Sequence, residues 1–192
     1  MIHLRLFGRC IAFLMAAFLV GGGTASGQEA SSVYSALDLR KCAIVKKTKE
    51  TASVVQRCTV SGNFQLYVAE DDLRFFVGYG PNGQKQKAFG QTLAPFNSIH
   101  NTIELRTRPG ARQPFAAILR YLTEGGDGER KGQVLVVTKI DGREACHMAY
   151  IDALANPNPN ALAQRTADSM AASFKCRSNA PRVVGAKGRS PM

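Results

Sequence analysis

The chain has 192 residues, a formal charge of +11, 45% hydrophobic residues and no tryptophan. The length suits a single domain. Lys46, Lys47 and Lys49 have no aromatic neighbours of the kind a nucleic-acid groove interleaves with its cations, so no nucleic-acid partner is expected.

The first predicted element is an export signal. Arg5 and Arg9 precede an apolar run from Cys10 to Val20, then glycines, then small residues with Ala25 and Gly27 at an A-x-G spacing. This is the layout of a secretory signal peptide spanning 1–27, and the apolar run is about half of what a membrane-spanning helix needs. Cleavage after Gly27 is expected to leave a chain with no transmembrane segment, periplasmic or secreted. Arg5 and Arg9 are the only charged residues of 1–27, so the mature charge is +9.

Export implies oxidised cysteines. Cys42, Cys58, Cys146 and Cys176 remain, and three pairings are open. Nearest-neighbour pairing, Cys42–Cys58 and Cys146–Cys176, is the expectation adopted, contributing about 3 and about 3.5 kcal/mol by loop-closure entropy. A zinc site would want close ligand pairs, which are absent, so neither metal nor cofactor is expected.

The body, 28–176, alternates with period two. CAIVKK and SVVQRCTV read as a hairpin around Thr48–Thr51, followed by FQLYVAE and LRFFVGYG. PNGQ is a turn, and a polar, less periodic stretch runs to about residue 100. TIELRTR, FAAILRYLTE, QVLVVTKI and EACHMAYIDA complete the strands, the last two joined through Asp141–Gly142, a hairpin signal. Strand alternation puts Cys146, Met148 and Tyr150 on one face, and Ala145, His147, Ala149 and Ile151 on the other. One helix closes the domain, with Asn158 as N-cap, Pro159 at its first position, and Leu162, Thr166, Met170 and Phe174 in a stripe. The predicted class is α+β: one antiparallel, meander-like sheet with the C-terminal helix packed on a face. Residues 177–192 carry Arg177, Arg182, Lys187 and Arg189 without apolar periodicity and are expected to be a disordered basic tail.

Candidate chemistry is sparse. No nucleophile elbow, zinc helix, P-loop or dinucleotide fingerprint is present. Cys146 beside His147 invites a catalytic reading, but an oxidised cysteine cannot attack, and neighbours in a strand point apart. No catalytic residue is therefore assigned. Phe76 and Arg74 are the preferred binding candidates, because Phe75 and Phe76 face opposite ways and one of them stands to be uncovered. Asp71, Asp72 and His147 join them as further binding candidates.

YSALDLRKC at 34–42, YVAEDDLRFFVGYG at 67–80 and VLVVTKIDGREACHMAYIDALANPNPNALA at 134–163 resemble an uncharacterised family of small exported bacterial proteins. The resemblance implies a periplasmic address and carries over no site residue. In size and composition the chain is also similar to periplasmic lysozyme inhibitors, without their site motifs. The expected function is a non-enzymatic periplasmic module that binds a protein or an anionic envelope component. The alternatives are a hydrolase built from Glu70, Asp71, Asp72, Glu104 and Asp152, or a binder of anionic envelope polymers acting through the tail.

Overall fold

The computed structural model describes residue 2 and residues 29–50, 52–125 and 131–192; the rest of the predicted signal segment lies outside the described residues. Strands β2 (Ala43–Lys47), β3 (Val54–Val60), β4 (Phe64–Asp71) and β5 (Arg74–Tyr79) form an antiparallel sheet in chain order. A larger sheet contains β1 (Ser31–Ala36), β6 (Asn97–Thr107), β7 (Ala116–Glu124), β8 (Lys131–Ile140), β9 (Ala145–Asp152) and β10 (Arg182–Val183). β10 runs parallel to β9, so the larger sheet is mixed. One helix, α1 (Pro159–Met170), follows β9.

The single meander expected from the sequence is thus two sheets, and the reason lies at the free edge of β5. Gln86 Oε1 accepts from Tyr79 N–H at 2.9 Å, and its Nε2 donates to Tyr79 C=O at 2.6 Å. Thr92 Oγ1 donates to Phe75 C=O at 2.7 Å, and Asn97 Oδ1 accepts from Phe75 N–H at 3.0 Å. Side chains from the polar stretch take the bonds that a neighbouring strand would have made. Close approach needs glycine here, because a Cβ on Gly78 would stand 2.2 Å from the Gly83 carbonyl oxygen. The next strand, β6, therefore starts a new sheet.

The molecule has three layers. Leu66, Val68, Val77 and Tyr79 of the smaller sheet pack on Ile103, Leu105, Leu119, Tyr121, Val134 and Val136 of the larger. The other face of the larger sheet carries Ile118, Leu135, Val137, Met148 and Ile151 against Ala163, Ala167 and Ala171 of α1 and the turn after it. Those alanines let the helix lie close to the sheet. Asn158 occupies the N-cap position, but its side chain makes no cap bond; Pro159 does stand in the first turn.

Both expected disulfides form, Cys42–Cys58 at the base of the β2–β3 hairpin and Cys146–Cys176 from β9 to the segment after α1. A bulge in β9 corrects the face assignment there. Ala149 pairs with Val137 but His147 with Thr138, so Met148 is the extra residue. Beyond it the alternation inverts: Tyr150 joins His147 on the inter-sheet side, and Ala149 and Ile151 join Cys146 and Met148 under the helix.

The tail is the other correction. Residues 177–192 are not free: Arg182 pairs with Ala149, Val183 with Tyr150, and Met192 packs on the inter-sheet core. The anchor is Asp152. Its Oδ1 accepts from Leu154 N–H at 3.0 Å, Ala155 N–H at 3.2 Å and Ser190 Oγ at 2.6 Å. Its Oδ2 accepts from Gly188 N–H at 2.9 Å and Ser190 N–H at 3.1 Å. Burial alone would raise this carboxyl; the Ser190, Leu154 and Gly188 donors outweigh it and hold the pKa below the ordinary value. Composition marked the tail as disordered because a carboxylate that gathers hydrogen-bond donors from 36 and 38 residues away leaves no local pattern.

Candidate functional site

A cleft of about 660 Å³ opens at one end of the sandwich. Its walls come from the β4–β5 turn, the segment entering β6, the adjoining ends of β7 and β8, and the turn after β9. Four apolar side chains stand open in it: Leu73 at 61% exposure, Leu154 at 59%, Phe96 at 49% and Leu122 at 38%. Phe75 lies beneath them, packed on the inter-sheet core. Polar groups of Asn97, Ser98, Thr123 and Gln133 also line it, with Glu70, Glu124 and Lys131 supplying its charges.

Leu73 is the residue that the fold does not explain. Asp72 and Leu73 join β4 to β5 as a two-residue turn with φ of 49° and 56°. Such a turn favours Asn-Gly or Asp-Gly, and a bulky L-residue in the left-handed region costs about 1 kcal/mol or more. Leu73 thus bears backbone strain and also exposes most of its apolar surface at the mouth of a cleft. Strain and exposure coincide at this one side chain of the cleft.

The sequence-predicted site residues fall elsewhere. Phe76 is on the outer face of the smaller sheet, half-buried, opposite Ala69. Arg74 donates to Asp72 at 2.7 Å, and Asp71 is exposed beside them. These residues share a hairpin with the cleft wall, but the cleft is lined by their neighbours Glu70, Leu73 and Phe75. His147 is buried between the sheets at 1% exposure. Its Nδ1 lies 3.1 Å from Tyr150 Oη, and its Nε2 is enclosed without a partner among the described residues. Burial pushes its pKa down to about 3, so the ring is neutral; Tyr79 and Tyr150, also desolvated, are pushed up to about 12. Cys146, across the strand, is oxidised, so the adjacent pair is not a catalytic dyad.

The acids considered for hydrolysis stand apart. Glu70 lines the cleft, Glu104 faces the helix side of the larger sheet beside Gln164, and Asp152 is consumed by its five donors. Glu70 shares the cleft with Glu124. Among the described residues no group of three or more His, Cys, Asp or Glu is placed to hold a metal ion. The sequence did hold one clue to the cleft: a leucine where a hairpin turn calls for glycine. No family model, curated protein or solved structure matches the chain.

Proposed function

We propose that this protein is a non-enzymatic binding module of the exported compartment, and that its cleft takes an apolar segment of a partner polypeptide. The observation that carries the reading is Leu73, strained and exposed at the cleft mouth with Phe96, Leu122 and Leu154 around it. A partner burying these four side chains removes apolar surface from water at about 25 cal/mol per Å². The polar groups favour a peptide over an aliphatic chain. The exposed Ser98 hydroxyl can meet a main-chain amide, and the mixed charges of Glu70, Glu124 and Lys131 form a polar surround. A hydrocarbon ligand would use none of them. Two disulfides suit an oxidising compartment, and among the described residues no helix is long and apolar enough to cross a membrane.

Selection of a displayed peptide library on the immobilised protein tests this. Winning peptides carry neighbouring aliphatic or aromatic residues and lose at least about tenfold in affinity on Phe96→Asp, while Phe76→Asp on the outer face leaves them unchanged. Peptides indifferent to Phe96→Asp, or decanoate displacing them at comparable affinity, would refute the reading.

A further inference from the structure

A second cavity, of about 330 Å³, lies on the helix side of the larger sheet and is lined by Tyr34, His100, Thr102, Glu104, Arg120 and Asn160 over Ile118 and Leu135. It holds one carboxylate, Glu104, and one guanidinium, Arg120, that do not pair, and His100 also lines it. Glu104 is buried at 3% exposure, and its Oε1 accepts from the Ser32 hydroxyl and, at 2.8 Å, from Gln164 Nε2. Arg120 donates to Gln133 Oε1 at 2.7 Å and to Asn160 Oδ1 at 3.0 Å. Among the described residues neither charge has an oppositely charged group at ion-pair distance. The nearest cation along β6, Arg106, is bound to Asp168 at 2.5 Å and reaches Glu104 only through Ser32.

A half-buried guanidinium held by neutral acceptors and a buried carboxylate held by neutral donors are each desolvated without full compensation. Asn160 and Gln164, one turn apart on α1, tie each group to the same helix. The strand register puts both groups on one face: Glu104 pairs with Ile118, and Arg120 is two residues further along the same face of β7. A cavity of about 330 Å³ limits the ligand to a small molecule, and an α-amino acid carries its two opposite charges on either side of one carbon.

We propose that this cavity binds a free α-amino acid, with its ammonium toward Glu104, its carboxylate toward Arg120 and its side chain over Ile118 and Leu135. An anion or a cation alone would leave one of the two charged groups uncompensated; a zwitterion satisfies both. Tyr34, whose hydroxyl accepts from Gln164 at 3.1 Å and is hydrogen-bonded to Glu104, lines the cavity beside that carboxylate. The inference is independent of the apolar cleft.

The test is amide chemical-shift mapping of the full protein with each of the twenty amino acids and D-alanine at about 10 mM, a concentration that detects millimolar affinity. At least one is expected to shift Thr102, Glu104 and Arg120. Its N-acetyl and its methyl ester derivatives, which each lack one charge, should bind at least about tenfold more weakly, as should the free amino acid to Glu104→Gln and Arg120→Gln. No amino acid binding at that concentration would overturn the proposal, and so would capped forms binding as well as the free one. The capped ligands act on the wild-type protein, so the result stands even where a variant fails to fold.

Discussion

Mild acid should weaken this protein through His147, in a range where ordinary carboxylates are still ionised. The imidazole is enclosed between the sheets with a folded pKa near 3, against about 6.5 in the unfolded chain. A base whose folded pKa is depressed stabilises the fold fully above the unfolded value, and that contribution is lost as pH falls below it. Linkage sets the size: the loss approaches 1.36 kcal/mol per pH unit, about 2 kcal/mol by pH 5 and about 3 kcal/mol by pH 4, levelling off near pH 3. Asp152 does not confuse the reading, because its depressed pKa moves its own loss to below the ordinary carboxylate value of about 3.9. Urea unfolding followed by circular dichroism from pH 7.5 to 5 would measure the effect in the wild type and in His147→Gln. The variant is expected to start about 1–3 kcal/mol less stable, from lost packing and the lost Tyr150 contact, yet to decline by about 2 kcal/mol less over the range. Equal slopes in the two proteins would mean that His147 is not held neutral in the folded state.

Leu73→Asn should change unfolding free energy by less than about 1 kcal/mol, because relief of the left-handed φ offsets the modest burial lost, while peptide affinity falls at least about tenfold; Leu66→Ala in the core should cost about 2–5 kcal/mol. Denaturant titrations and binding isotherms separate the two effects. Replacing Cys146 and Cys176 together by serine should cost about 3.5 kcal/mol and speed hydrogen exchange across 171–192, whereas unchanged exchange would show that the bond does not fix this segment. Asp152→Asn should cost about 1–3 kcal/mol and expose Lys187 and Arg189 to trypsin under native conditions; a tail still resistant in that variant would remove Asp152 as its anchor.

The strands of the body, the closing helix and both disulfides were legible because their signals are local: period-two alternation, turn residues, an apolar stripe and an even number of exported cysteines. β1 was not, since its alternation is broken by exposed Val33 and Tyr34 on an edge. The split into two sheets depends on Gln86, Thr92 and Asn97 reaching back to the edge of β5, and nothing in the β5 segment announces that. The bulge at Met148 reverses a face assignment that strict alternation would have fixed. At the site, alternation correctly separated Phe75 from Phe76. The choice of Phe76 assumed that the side away from the core would hold the binding surface, but the cleft opens at the end of the sandwich, where Phe75 and Leu73 lie.

In the function proposed above, Leu73 and its neighbours are held exposed to receive an apolar peptide. The direct measurement is intermolecular nuclear Overhauser contacts between a selected peptide and the methyl groups of the full protein. Contacts from the peptide's apolar side chains to Leu73, Leu122 and Leu154 are expected. Contacts confined to the outer face around Phe76 and Val55, with the cleft methyls silent, would contradict it.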